Sequence, residues 1–264
     1  MQSRRWIPWL LVITTCVAAG CIGSPDIPET PPSDEVPPPP APEVAAKFVE
    51  TYDSMQDFSA TVTTVSDRGT FLQEVWFKKP DRFCVHYLDE RSTDSGRPTT
   101  TGDLVVFDGE TQWRYVNATG NVLYASAQSL NYTFADESET GGALDALDLT
   151  RDLLARYECT LSGVKTEDGR TIYTLEVVND TQMAEAPVLG WYPVYAVRAG
   201  IEKDSWILRS TEFLNATGKP VMTVEYRNVT QNTGIPENMF RYSPPEGAVV
   251  KPMRTVVITP PIVP

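Results

Sequence analysis

Histidine, the side chain used most often in acid–base catalysis, is scarce in this sequence. The chain contains one histidine, His86, among 264 residues, and a single imidazole cannot build a histidine-rich metal site. A serine–histidine–aspartate triad would have to use His86, yet no Gly-x-Ser-x-Gly motif supplies the nucleophile. Phosphate-binding and dinucleotide-binding glycine motifs are missing as well. We therefore expect a protein that is not an enzyme and that holds no cofactor or metal.

The cysteines suggest modification rather than catalysis. The segment Val17–Cys21 resembles a lipoprotein lipobox, in which the cysteine is lipidated and becomes the mature N-terminus, so Cys21 is the candidate lipidation site. Cys84 and Cys159 then remain in the mature chain. In an oxidising, extracytoplasmic setting these two cysteines either form a disulfide or stay as buried free thiols.

Five asparagines carry the Asn-x-Ser/Thr pattern of N-glycosylation sites. All are at or near turns or in loops, which fits an exported, glycosylated surface, although turns rich in threonine and asparagine also generate this pattern by chance. The five are Asn117, Asn131, Asn179, Asn215 and Asn228.

The N-terminal region reads as a targeting segment followed by a tether. Arg4 and Arg5 precede a mostly apolar run, which indicates a secretory signal peptide in residues 1–20. The alternatives are an ordinary cleaved signal with an incidental cysteine, or an uncleaved anchor. Residues 21–43 are rich in proline and acid and predict an extended tether. At about 3.1 Å per residue it would span up to roughly 65 Å.

The charge of the chain restricts its partners. Aspartate and glutamate outnumber lysine and arginine by 35 to 22, for a net charge of −13. This balance opposes binding to nucleic acid and adhesion to an anionic membrane through charge alone. We expect no nucleic-acid partner, and membrane attachment only through the lipidated N-terminus, at the extracytoplasmic face of the membrane.

The elements that carry these residues are mainly strands. Aromatic and β-branched residues alternate with polar ones across residues 70–125, and the pattern resumes after residue 159. Val44–Met55 and Ala143–Tyr157 show helical spacing of apolar residues. The sequence predicts an α+β fold, mainly antiparallel: a curved half-barrel sheet of about eleven strands, with the helices as a lid. We place this domain at residues 44–250, followed by a tail at residues 251–264.

Alternation along the strands predicts one apolar face that must be covered. Side chains on such a face usually belong to the protein core, but a face this large could also hold an acyl chain. The candidate lining residues are Phe71, Val75, Phe77, Phe83, Val85, Tyr87, Trp113, Tyr115, Tyr173, Leu175, Trp206, Leu208, Met222, Val224 and Tyr226.

Three segments stand out as turn and hairpin motifs. Lys78–Phe83 has the form K-x-P-x-R-F, Val106–Trp113 contains D-G-x-x-x-W, and residues 235–247 form a closing segment rich in proline and glycine. In this order they resemble the K-x-P-x-R-F turn, the D-G-x-x-x-W hairpin and the closing F-x-x-x-P-P-G region of the LolA/LolB-like family of outer-membrane lipoprotein-sorting proteins. The resemblance spans roughly residues 44–250 and implies a half-open β-barrel with a helical lid over a hydrophobic cavity for acyl chains. The lipobox and long tether depart from the soluble carriers of the family, because a tethered protein cannot shuttle freely.

Two functions remain open from the sequence. The first is binding of lipid or lipoprotein acyl chains in the half-barrel, as a carrier, receptor or local chaperone. The second is a protein-interaction or envelope-sensing module with the same fold and no transported ligand.

Overall fold

The computed structural model describes residues 37–93, 99–127, 143–179, 184–186 and 192–253. The predicted signal peptide, Cys21, most of the tether, Asn131 and the end of the C-terminal tail lie outside these residues.

Two helices and fourteen strands make up the described fold. The helices are α1 (Ala41–Ser54) and α2 (Ala143–Arg156), and a short 3-10 helix spans Glu237–Phe240. The strands are β1 (Asp57–Ser66), β2 (Gly69–Lys78), β3 (Arg82–Ser92), β4 (Leu104–Phe107), β5 (Thr111–Val116), β6 (Asn121–Ser126), β7 (Thr160–Glu167), β8 (Arg170–Val178), β9 (Ala184–Ala186), β10 (Tyr192–Val194), β11 (Ala196–Glu202), β12 (Leu208–Leu214), β13 (Pro220–Gln231) and β14 (Val249–Pro252).

Twelve strands form one open sheet, in the order β14-β6-β5-β4-β3-β2-β1-β13-β12-β11-β8-β7. Neighbouring strands are antiparallel except β14, which pairs in parallel with β6. Within the described residues the terminal strands β14 and β7 do not pair with each other, so the sheet does not close into a barrel. Strands β9 and β10 form a separate two-stranded ribbon. The predicted α+β class with an open half-barrel sheet is confirmed.

Both helices form because their apolar residues recur at helical spacing. In α2, Ala146, Leu147, Thr150, Leu153 and Leu154 fall on one stripe, and all five are buried. Helix α1 starts directly after Pro40 and buries its own stripe in the same core. The helices contact each other and cover one side of the sheet.

The sheet therefore has two distinct faces. The inner face packs against α1 and α2, and its residues alternate along each strand with those of the outer face. On β2, β3 and β4, for example, Val75 lies opposite Val85, and Val85 opposite Val105, on the inner face. The outer face of β2–β4 packs instead against the segment that contains the 3-10 helix.

Candidate functional site

The inner face and its helical cover form the candidate binding site. Helix α1 contributes Val44 and Phe48 to the core beneath it, and α2 contributes Leu147 and Leu153. Two hydrogen bonds fasten α2 to the sheet. The hydroxyl of Tyr226 donates to the Ala143 carbonyl at 2.7 Å, and the Thr150 and Thr211 hydroxyl oxygens lie 3.0 Å apart.

Most of the predicted lining residues lie on the inner face. Phe77, Phe83 and Trp206 are partly buried and pack against the inner core, and Phe71 shares the face of Val75 by alternation along β2. Nine others are fully packed into this core beneath the helices: Val75, Val85, Tyr87, Tyr173, Leu175, Leu208, Met222, Val224 and Tyr226.

Trp113 and Tyr115 correct the prediction, because they point to the outer face. Their partners across β4 are Val106 and Leu104, which are outer-face residues. Trp113 also packs against Tyr242, with ring centroids 6.0 Å apart, near the 3-10 helix. The strand alternates as predicted, but with its aromatic side outward.

The inward side of β5 is polar, whereas the sequence predicted that its aromatic residues would face inward. Gln112 and Arg114 face inward and are buried. Arg114 donates from Nη2 to Asp103 Oδ2 at 3.2 Å, and the backbone N–H of Asn117 donates to Asp103 Oδ1 at 2.9 Å. Burial raises the pKa of Asp103, and these two donors oppose that shift. With Gln73 also buried, this end of the inner face is polar as well as apolar.

Among the described residues, the seam between the helices and the inner face encloses a void of about 10 Å³. It is lined by residues of both helices, of β1 and of the loop before β12, including Phe48, Phe58, Leu147 and Trp206. A void of that size suits at most a water molecule, whereas ligand pockets measure roughly 300–1,000 Å³. An acyl chain would enter here only if the helices moved.

Polar contacts tie the two helices together at the rim of the site. The Tyr52 hydroxyl on α1 donates to Asp148 on α2, and Arg151 makes two hydrogen bonds to Asp53, at 2.8 and 3.0 Å. Lys79, in the β2–β3 turn, donates to the carbonyls of Tyr52 and Asp53 at 3.2 and 2.7 Å. Burial and the neighbouring Asp148 carboxylate raise the pKa of Tyr52. These contacts hold the helices to each other and to one sheet turn.

The outer face carries an open groove of about 440 Å³. Its walls come from β2–β5 and from the segment of the 3-10 helix. The lining side chains are mostly apolar, and they include Trp76, Cys84, His86, Leu104, Val106, Tyr115 and Met239. His86 thus lies on the face opposite to Val85 and Tyr87. Its Nδ1 is 4.0 Å from Glu74 Oε2.

Cys84 and Cys159 are free thiols, so the structure favours the second of the two alternatives that the sequence left open and shows no disulfide between them. Cys84 belongs to the outer-face cluster with Val106. Cys159 packs against the inner core, on the other side of the sheet. Burial raises the pKa of the Cys84 thiol to about 12, so this thiol is protonated at neutral pH and is no nucleophile.

The described glycosylation candidates differ in how their amides are engaged. Asn117 and Asn228 donate from Nδ2, to the Thr101 carbonyl at 3.1 Å and to the Thr61 hydroxyl at 3.3 Å. Asn215 uses its Oδ1 to accept from the N–H of Thr217 at 3.0 Å. Asn179 follows β8 directly. Glycosylation of any of them stays a prediction.

The described residues contain no group of three or more histidine, cysteine, aspartate or glutamate side chains that could hold a metal ion. A search of the same residues finds no helix with the length and apolar character needed to cross a membrane.

Comparison with known proteins bears on the fold. No family model matches the chain. It is similar to an uncharacterized protein of Methanocaldococcus jannaschii, with 24% identity over 218 residues that cover 79% of this chain and 52% of the relative. The chain thus spans about half the length of the curated relative it matches.

Two solved structures are also similar to this chain. The MucA/MucB complex of Pseudomonas aeruginosa is 16% identical, with 77% of this chain and 61% of that chain covered and a TM-score of 0.47. A LolA superfamily protein of Nitrosomonas europaea is 12% identical, with 78% and 99% covered and a TM-score of 0.32. These likenesses concern the fold alone.

Proposed function

We propose that this protein is an extracytoplasmic, membrane-anchored lipoprotein that binds lipid or lipoprotein acyl chains between its helices and the inner face of its half-barrel. It would act as a carrier, receptor or local chaperone. The observation that carries the proposal is the apolar character of the interface between the two helices and the inner face. Apolar contacts are not directional, so an acyl chain and the helices can compete for the same surface.

The energetics allow such an exchange. Burying a C16 acyl chain contributes on the order of 10 kcal/mol at about 0.8 kcal/mol per methylene. That gain opposes the loss of part of the helix–sheet contact, and the polar contacts between the two helices at the rim need not break. The seam at Trp206, where packing leaves a small void, is the natural point of entry.

A matched pair of tryptophan variants tests binding at the inner face. Trp206 borders the seam and stacks on Tyr173, with ring centroids 6.2 Å apart. Trp113 lies on the outer face. Trp206→Ala widens the seam, so uptake of a fluorescent fatty acid should become several-fold faster or tighter. Trp113→Ala should leave uptake unchanged. Equal effects of the two substitutions, or none from Trp206→Ala, would argue against the inner site.

The predicted N-terminal organisation completes this proposal. Residues 1–20 act as the signal peptide, Cys21 carries the lipid, and residues 21–43 hold the domain away from the membrane. Growth with a labelled fatty acid should label the chain, and Cys21→Ser should abolish the label. Labelling of the Cys21→Ser variant to the same extent would rule out this anchor.

A second candidate function is a protein-interaction or envelope-sensing module with no transported ligand. The specific observation in its favour is the tight packing at the seam between the helices and the sheet, where the void between described residues measures about 10 Å³. In that case the helices are a permanent part of the core and the exposed surface binds a protein partner. The protein would then purify without lipid and would not take up a fatty acid.

A further inference from the structure

A lysine ammonium lies over the aromatic ring that borders the seam between the helices and the sheet. The Nζ of Lys47, on α1, is 4.8 Å from the centroid of the Trp206 ring. Trp206 lines the void at the seam together with Phe48, the residue that follows Lys47 in the chain. A positive charge therefore lies beside the point at which an acyl chain is proposed to enter. The binding proposed above assigns no role to this charge.

The backbone of Trp206 adopts a conformation that bulky residues rarely take. Its φ of 55° lies in the left-handed region, and its N–H donates to the Glu202 carbonyl at 2.9 Å. Bulky residues at positive φ are strained, and such strain is concentrated at functional sites. The turn between β11 and β12 thus holds the indole against Tyr173, with ring centroids 6.2 Å apart, and beside the ammonium of Lys47.

The charge of Lys47 is available to a ligand because its polar contacts are weak. Oε1 of Glu43 is 3.9 Å from Nζ, which is beyond hydrogen-bonding distance. Within the described residues, no atom accepts a hydrogen bond from this Nζ. The side chain is 42% exposed. An ammonium on a flexible four-carbon stem can turn from the ring to a nearby anion without leaving water.

A second lysine near the seam already has partners. The Nζ of Lys79 is 5.7 Å from the centroid of the Tyr52 ring, and Tyr52 also lines the void. Lys79 donates, however, to the carbonyls of Tyr52 and Asp53 at the end of α1, where the helix dipole favours a cation. Of these two lysines, Lys47 is the one whose charge can meet the headgroup of a ligand.

The carboxylate of Glu202, at the end of β11, does not cancel this charge. It is paired with Arg209 and, at 3.5 Å, with Arg170. The chain as a whole carries a net charge of −13, but charges farther away than about 8 Å are largely screened at physiological ionic strength. The charge that a headgroup meets beside Trp206 is therefore mainly that of Lys47.

We infer that the lipid bound at the seam carries an anionic headgroup, which pairs with Lys47 while the acyl chain enters past Trp206. This inference rests on the lipid binding proposed above and adds the class of lipid. An anion that enters the apolar interior without a partner pays a large desolvation cost, so the headgroup stays at the half-exposed mouth of the seam. Lys47 thereby favours a fatty acid, or another anionic lipid, over a neutral lipid of the same chain length.

The test compares a fluorescent C16 fatty acid, labelled on its acyl chain, with its methyl ester in titrations of the full-length chain. The two ligands share the acyl chain and differ in the charge of the headgroup. Lys47→Gln should weaken binding of the acid by about 5-fold, the upper range for a half-exposed ion pair, and leave binding of the ester unchanged. At 1 M salt, where the screening length is about 3 Å, the parent and Lys47→Gln should bind the acid alike.

Two matched variants separate the charge of Lys47 from other effects. Lys47→Arg keeps the positive charge and should bind the acid as the parent does. Lys219→Gln removes an exposed lysine in the turn after β12, beyond the opposite end of that strand from Trp206, and should also bind the acid as the parent does.

Unchanged binding of the acid by Lys47→Gln, or equal weakening of the acid and the ester, would overturn this inference and leave lipid binding intact. Failure of the parent to bind either ligand would overturn the proposed function, and this inference with it.

Discussion

The contact between Thr150 on α2 and Thr211 on β12 gives a sharp test of how the helical cover is held. Both residues are fully buried, and their hydroxyl oxygens lie 3.0 Å apart. The Thr150 hydroxyl donates to the Ala146 carbonyl at 2.7 Å. Since a hydroxyl has one proton, Thr211 must be the donor in the bond between the two threonines.

Because Thr211 is the donor in this hydrogen bond, the two single substitutions should lower the unfolding free energy by different amounts. Thr150→Val leaves the Thr211 donor buried without an acceptor, which costs about 1–3 kcal/mol of unfolding free energy. Thr211→Val removes only a donor to Thr150, whose own proton stays bound to Ala146, so it should cost less. The double variant replaces both hydroxyls by methyl groups of similar shape and should be close to neutral.

Thermal and urea unfolding measure the difference. For a domain of about this size, each kcal/mol lowers Tm by roughly 2–4 °C. We expect Thr150→Val to melt several degrees below the parent and the double variant to recover most of that loss. A larger loss of stability in Thr211→Val than in Thr150→Val, or a double variant less stable than either single variant, would refute this hydrogen-bond direction.

Three further predictions concern buried charge, pH and thiols. Arg114→Met leaves the Asp103 carboxylate buried without its ion-pair partner, and should lower the unfolding free energy by about 3–5 kcal/mol in urea denaturation. A hydrogen bond from Lys78 and the nearby Arg82 lower the pKa of Glu237 from its ordinary 4.5. Its stabilising contribution is therefore present above pH 4.5 and is lost as pH falls through the lowered value, and Glu237→Gln should abolish that part of the acid-induced loss in urea unfolding. Without reductant, the thiols of Cys84 and Cys159 should both react with an alkylating reagent once the protein is unfolded. In the folded protein, Cys159 should react before the buried Cys84.

The helices and the fold class were predictable because their signals are local. The apolar stripes at Val44–Met55 and Ala143–Tyr157 correspond to helices at Ala41–Ser54 and Ala143–Arg156. Alternation along the strands likewise predicted an antiparallel sheet. Periodicity of this kind depends only on neighbouring residues, so one sequence suffices to read it.

The orientation of β5 was not predictable in the same way. Its sequence Thr111–Val116 alternates between polar and aromatic residues, and alternation alone does not say which set faces the helices. The aromatic set faces outward because the segment around Tyr242, far along the chain, supplies a cover there. The inward set instead uses the Asp103–Arg114 pair. Such contacts between distant segments leave no periodic signal in the sequence.

The most direct test of lipid binding is native mass spectrometry of the full-length chain, combined with organic extraction of the purified protein. We expect a bound species that carries the additional mass of an acyl lipid, and recovery of that lipid in the organic phase in near-equal molar amount to the protein. A single lipid-free species that also fails to take up an added fatty acid would rule out lipid binding. That result would instead favour the protein-interaction module.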